Sequence, residues 1–320
     1  HPPNPHPHPH HSTYTLTLRL SLSLGLGLTP TPTPTPTLGQ GVLDAFKATL
    51  TADEVDASLR AYSLAMPDFA VLEQEMDVID VDAISAALRV AHRTLAANFR
   101  EELLATYRGL ASDAPYAVNR DQVGARRLRN TCLGYLAKLE AQDTTGLCLD
   151  QFRGAQCMTD KVGALVPLAC LPGAARDEAL TAFYDAAKAG NEKLVINKWF
   201  QVQAMADTPD CLATVRALMA HEAYDGNNPN VVRALVNVFA AANHDAFHKS
   251  DGSGYAFIAE QVIDIDQRNA QLAARIASTF NSWKRYDETR QGLMKAQLER
   301  IFEGASSMDT KEIVSKALKS

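Results

Sequence analysis

From Asp82 onward the chain places apolar side chains at Ile84, Leu88, Ala91, Leu95, Phe99, Leu103 and Tyr107, always three or four residues apart. That spacing returns each of them to one side of a 3.6-residue turn, so it predicts an apolar stripe on one long helix or on two abutting ones. Arg89, Arg93, Arg100 and Glu101 fall on the opposite face. Upstream, Thr51 followed by Glu54 has the spacing of a capping box ahead of a helix through Leu59, and Pro67 stops that unit. Similar periodicity predicts helices over 120–141, 159–170, 174–189, 192–206, 210–223, 230–241, 255–263, 270–286, 288–302 and 310–318. Between them stand PG, AGN, TPD, GNNPN, DGSG and EGASS, short breakers of the kind that join antiparallel neighbours. No run of alternating β-branched residues follows position 41. The expected fold is therefore all-α: a superhelical array of antiparallel helix pairs, an α-solenoid-like bowl without a fixed repeat period.

Residues 1–40 have a different texture, and the expected division is a low-complexity, disordered leader over 1–40 and a helical domain over 41–320. Proline at every second position in TPTPTPTPT blocks both a helix and a paired strand. The stretch 16–28 alternates as a strand does and is aggregation-prone if exposed. His6, His8, His10 and His11 have the residue type of metal ligands, but repeat-derived disordered sequence is the plainer reading because no ordered second shell is in view. The chain opens on His1 rather than Met, from which a fragment of a longer protein is expected.

A chain of 320 residues buries roughly 70 to 75% of its unfolded surface, enough for a substantial core. A net charge of −6 gives no basic footprint, which argues against a nucleic-acid partner. No segment approaches about 20 uninterrupted apolar residues, so no membrane span is expected. Cys132, Cys148, Cys157, Cys170 and Cys211 form no CxxC pair and read as free, buried thiols of a reducing compartment.

The search for chemistry returns little. His221-Glu222 begins like a zinc-peptidase helix, but the position four residues on is Asp225 and Gly226-Asn227-Asn228-Pro229 ends the helix at once. His244 and His248, flanked by Asp245 and Asp251, read as a surface helical turn entering a glycine-rich loop. Frameworks for acyl transfer or nucleotide binding (GxSxG, a P-loop, GxGxxG after a strand) do not occur. Neither catalytic nor metal-ligating residues are assigned. Arg233 and Arg275 stand among apolar or small neighbours. An internal salt bridge is one reading of them, and a cation lining a cavity that receives an anionic group is the other.

Five strings give the sequence a resemblance. Met158-Thr159-Asp160, Asn197-Lys198-Trp199-Phe200, Asn228-Pro229-Asn230, Asp251-Gly252-Ser253-Gly254-Tyr255 and Lys284-Arg285-Tyr286-Asp287 occur in this order. With 127–133 and 80–88, they resemble the C-terminal helical domain of the aminopeptidase N family, the bacterial and plastid-type alanyl aminopeptidases of the gluzincin class. The resemblance runs from about residue 50 to the end, although Cys157 stands where the family usually has Asn.

It implies a non-catalytic module of a zinc enzyme that removes N-terminal residues from peptides. The module would wall the substrate chamber, and Arg233 and Arg275 would face the chamber and the distal end of the peptide. The zinc motif HExxH and the GxMEN motif belong to an upstream domain and do not occur here, so zinc would sit in the parent enzyme. The implied partners are that catalytic domain and short peptides, in the cytoplasm or in an organelle such as a plastid. An isolated module would expose the apolar face that normally packs on its partner. The competing reading is a stand-alone helical scaffold that binds peptides or proteins on its concave face.

Overall fold

The computed structural model describes residues 38–112 and 114–319. The leader over 1–40 therefore lies almost wholly outside the described residues. Among the described residues there is no β-strand, only an isolated bridge between Ile79 and Tyr286. Two compact units divide the chain: one holds the described residues up to Gln74 together with Ile84–Pro167, and the other holds Glu75–Ala83 with Leu168–Ser320.

In the N-terminal unit, α1 (Gln40–Leu50), α2 (Ala57–Ser63) and α3 (Phe69–Gln74) precede α4 (Val81–Asn98), whose first residues belong to the other unit. The remaining helices are α5 (Arg100–Gly109), α6 (Arg120–Ala137), α7 (Gln142–Gly154) and most of α8 (Met158–Cys170). The long apolar stripe is two helices. Phe99 leaves helical geometry at φ −119°, ψ 28°, between α4 and α5. Ile84, Ala91, Leu95, Phe99, Leu103 and Tyr107 are buried as the spacing requires. Phe99 stacks on Phe46 at 5.4 Å, and Tyr135 meets Phe46 edge-on at 5.1 Å while its hydroxyl caps the Leu64 carbonyl.

The expected capping box does not form. Thr51 turns back to the Lys47 carbonyl at the end of α1, and α2 is capped by Asp56, which accepts the Leu59 amide at 3.2 Å. A side chain at the close of one helix was competing for the role of starting the next, and the nearer carbonyls won. Arg60, buried in α2, donates to the Thr49 carbonyl at 3.3 Å and also to that of Leu50, meeting two orphan acceptors of the α1 terminus.

The C-terminal unit contains α9 (Ala174–Ala189), α10 (Lys193–Ala204) and α11 (Cys211–Met219), then α12 (Pro229–Val232), a π-helical turn (Arg233–Asn237) and α13 (Val238–Ala242) in one run. There follow α14 (His244–Phe247), α15 (Ser253–Asp266), α16 (Ala270–Ala277), two 3₁₀ turns (Ser278–Phe280 and Trp283–Arg285), α17 (Glu288–Gly304) and α18 (Met308–Lys319). α15 packs on α16 and α17, and α18 closes against both α16 and α17. Phe200, Phe239, Phe247, Tyr255, Phe257 and Phe280 are fully buried and form the aromatic part of this core. Burying side chains of this size is worth roughly 1.5 to 3 kcal/mol each.

Candidate functional site

Asn228 accepts the Asn230 amide at 3.0 Å and Pro229 supplies a preset φ, so the turn before α12 is fixed by its own side chains. This geometry presents Arg233 outward at the start of the π-helical turn while Val231, Val232, Ala234 and Leu235 are buried. Its Nη1 reaches the Asn230 carboxamide oxygen at 3.3 Å. Arg275 projects from the last turn of α16, where a cation also suits the helix dipole, and Leu272, Ala273, Ile276 and Ala277 are buried around its base. Both arginines are exposed, and among the described residues neither forms an ion pair. The internal salt bridge is therefore overturned. A helix turns about 100° per residue, so buried neighbours in sequence place an arginine on a different face rather than among them. Both belong to the C-terminal unit, yet no hydrogen bond joins them.

His221 and Glu222 lie beyond the end of α11, outside any helix. His221 packs edge-on to Tyr184 at 4.8 Å and beside Trp199 at 5.0 Å, and its Nδ1 accepts the Ala223 amide. Glu222 accepts from the Tyr184 hydroxyl at 2.9 Å and pairs with Lys188, which holds its carboxyl below the usual range. These contacts are structural. Among the described residues no group of three His, Cys, Asp or Glu side chains is placed to hold a metal ion.

His248 departs from expectation. It is 3% exposed rather than on the surface. Its Nδ1 hydrogen-bonds the Tyr255 hydroxyl at 2.9 Å and its Nε2 the Tyr286 hydroxyl at 3.2 Å, and the Tyr286 ring stacks on it at 4.5 Å. Burial holds it neutral, pushing its pKa down to about 3, with His244 and Arg290 adding repulsion. Arg290 donates Nε–H to the His248 carbonyl at 2.8 Å and completes a fork to Asp287 and Asp82 at 2.8 Å each. Sequence spacing could not reveal this hub, because Asp82 is 208 residues from Arg290.

The recognised strings prove to be junctions of the architecture. Asp251 accepts the Ser253 amide at 2.9 Å, Gly252 takes φ +71°, and a Cβ on Gly254 would stand 2.3 Å from the Phe247 carbonyl oxygen. Arg285 donates to the Met76 carbonyl at 2.8 Å and its own carbonyl accepts the Ile79 amide at 2.7 Å. The Trp199 indole donates to the Leu180 carbonyl at 3.0 Å.

The N-terminal unit contains a cavity of about 460 Å³ between the ends of α5, α6, α7 and α8. Arg108, Arg126, Arg129, Asp150, Gln151 and Cys157 line part of it. Sequence reading missed it because its residues come from four helices and form no local motif. Of the five cysteines, Cys132, Cys148 and Cys211 are buried, with burial pushing each up to about 12, while Cys157 and Cys170 are half-buried.

Comparison with known proteins places this arrangement. A family described as a domain of unknown function (DUF3458_C) with ARM repeats matches residues 14–319. Aminopeptidase N of Escherichia coli K12 is 37% identical over 279 residues, covering 87% of this chain and 32% of that protein. Aminopeptidase N of Caulobacter vibrioides is 33% identical over 276 residues, covering 86% and 32% respectively. The chain thus spans about a third of the length of these relatives. A crystal structure of Legionella pneumophila aminopeptidase A in complex with aspartic acid superposes with a TM-score of 0.85 at 26% identity, covering 96% of this chain and 36% of that one. Among the described residues no helix is long and apolar enough to cross a membrane. With its helices and repeats accounted for in this way, the chain belongs to the DUF3458_C family of ARM-repeat, solenoid-like all-α domains, in the form found in aminopeptidase N.

Proposed function

We propose that residues 41–320 act as the non-catalytic helical module of a zinc-dependent alanyl aminopeptidase, walling the chamber in which short peptides lose their N-terminal residues. The zinc and the general base reside in a catalytic domain that this module docks against, in the cytoplasm or an organelle. Arg233 and Arg275 hold the distal end of the peptide by its carboxylate. The observation that carries this reading is that both guanidinium groups are exposed and, among the described residues, have no carboxylate partner, while the helices that bear them are anchored by buried neighbours. A cation held in this way recognises a carboxylate at little ordering cost and aligns a substrate without taking part in bond cleavage.

The test is a chimera in which this chain replaces the corresponding segment of the Escherichia coli enzyme. Arg233→Met and Arg275→Met should each raise KM for peptides with a free carboxyl terminus about fivefold to tenfold, or about 1 to 1.4 kcal/mol. Aminoacyl-anilides, which lack that carboxylate, should be cleaved as before. Unchanged KM for both variants would remove the arginines from substrate binding. Zinc-dependent cleavage by this chain alone would overturn the module itself.

A further inference from the structure

The cavity of the N-terminal unit has hydrogen-bonding capacity that no described residue uses. Gln151 is 4% exposed, and its Nε2 donates to Asn130 Oδ1 at 2.7 Å and to the Asp160 carbonyl at 3.0 Å. A carbonyl can only accept, so the amide orientation is fixed and Oε1 must be the acceptor on the other side. Among the described residues no donor reaches that buried Oε1. Arg129 has the complementary deficit. Its Nη2 donates to the Tyr107 hydroxyl at 3.1 Å and its guanidinium lies over the Tyr107 ring at 4.5 Å, but among the described residues its buried Nε–H has no acceptor.

Charge points the same way. Arg108, Arg126 and Arg129 all line the cavity, and none forms an ion pair among the described residues. Arg126 is held instead by the Gln122 carboxamide and the Ala117 carbonyl, at 3.0 Å each. Asp150 and Asp160 also line the cavity, so among the described residues that line it the guanidinium groups outnumber the carboxylates by one. A lining of this kind suits a singly charged anion and disfavours a dianion. An orphan acceptor and an orphan donor on two residues of the same lining further select a molecule that carries both a carboxylate and an N–H.

We propose that this cavity binds a small amide-bearing carboxylate, of the size of an N-acylated amino acid or a dipeptide. The carboxylate pairs with Arg129 and Arg108 and the amide N–H is received by Gln151 Oε1, after a side-chain rearrangement that opens these two buried atoms to the cavity. The volume, about 460 Å³, lies within the range of small-molecule sites.

The test uses the whole chain and N-acetylglycine as the probe, with acetate and inorganic phosphate as controls. Cys157 lines the cavity and is half-buried, so its alkylation by iodoacetamide, followed by mass spectrometry, reports occupancy. Cys170, half-buried and not among the cavity residues, serves as the internal reference. N-acetylglycine should slow Cys157 alkylation at least fivefold and saturably, and acetate should need at least tenfold higher concentration. Arg129→Met should weaken the effect at least tenfold. Should that variant fail to fold, Arg108→Gln, at an exposed position, gives the same comparison with a smaller expected loss, about threefold. Absence of protection, equal protection by acetate, or stronger protection by phosphate would each overturn the proposal.

Discussion

Arg290 donates its Nε–H to the main-chain carbonyl of His248 across 2.8 Å, which fastens the first turn of α17 to the end of α14. The Arg290 side chain is 8% exposed, whereas Asp82, one of its two carboxylate partners, is 77% exposed. Removing the cation leaves a buried carbonyl unmet; removing the outer carboxylate leaves the cation its other bonds. Arg290→Met should lower unfolding free energy by about 2 to 4 kcal/mol, and Asp82→Asn by less than about 1 kcal/mol. Urea midpoints of the two variants give the comparison, and equal losses would refute the asymmetry.

His248 makes stability depend on mildly acidic pH. In the unfolded chain a histidine titrates near 6.5, while in the hub it does so at about 3. The unfolded state therefore binds an additional proton throughout that window. Stability is full above pH 6.5 and falls as pH drops toward 3, by roughly 1.4 kcal/mol per unit. Midpoints measured at pH 7 and pH 5 should show the slope, and His248→Gln should reduce it by about one proton.

Asp266 gathers the start of α18. It accepts the amides of Ser306 at 2.7 Å and Ser307 at 2.9 Å, the Thr310 hydroxyl at 2.6 Å and the Ser307 hydroxyl. Burial favours its neutral form, but these donors prevail and hold the carboxyl well below the usual range. Its stabilising effect is present above about pH 4 and lost as pH falls through the depressed value. Asp266→Ala should cost about 2 to 3 kcal/mol. Faster hydrogen exchange over 308–319 is the expected signature, and unchanged protection there would contradict it.

Glycines give a paired prediction of opposite sign. Gly254→Ala would drive a methyl group against the Phe247 and Ala246 carbonyl oxygens, at 2.3 and 2.6 Å, where backbone rather than a flexible side chain must yield. A loss of about 3 kcal/mol or more is expected. Gly134 in α6 and Gly146 in α7 have nothing within 4 Å of a built Cβ, so alanine at either should stabilise by about 0.5 to 1 kcal/mol. Thermal melts of the three variants would settle it.

The helical architecture was legible wherever an apolar stripe was dense. The predicted helix over 174–189 matches α9 end to end, and the stripe through Tyr107 lies in the core apart from a half-buried Leu88. α7 escaped notice because its first turns, Gln142 to Gly146, carry no apolar side chain and its buried set includes Thr144 and Gln151. The predicted helix over 230–241 conceals a π-helical turn, and that over 270–286 breaks into 3₁₀ turns after Ala277. Such changes of pitch are set by packing rather than by local propensity.

The sites were less legible than the helices. Arg233 and Arg275 stand out by their residue type, but the apolar neighbours beside them in sequence lie on another face of the helix, so the exposure of both is not legible from adjacency. His248 reads as a solvated residue in the sequence because Tyr286 and Arg290, which meet its ring and its carbonyl, arrive from a distant segment. The cavity over α5 to α8 had no signal at all, since its arginines are spaced like those of an ordinary hydrated helix face.

The short passage from Glu75 to Ala83 belongs with the second compact unit, although the chain passes through most of the first before returning to it. During synthesis this passage leaves the ribosome some two hundred residues before Arg285 and Arg290, which later clasp Met76 and Asp82. The second unit can therefore be finished only by recapturing a piece of chain that has waited throughout, and its assembly carries the slowness of a long loop closure. A protein cut between the two units in linear order would take this piece away from the helices it completes.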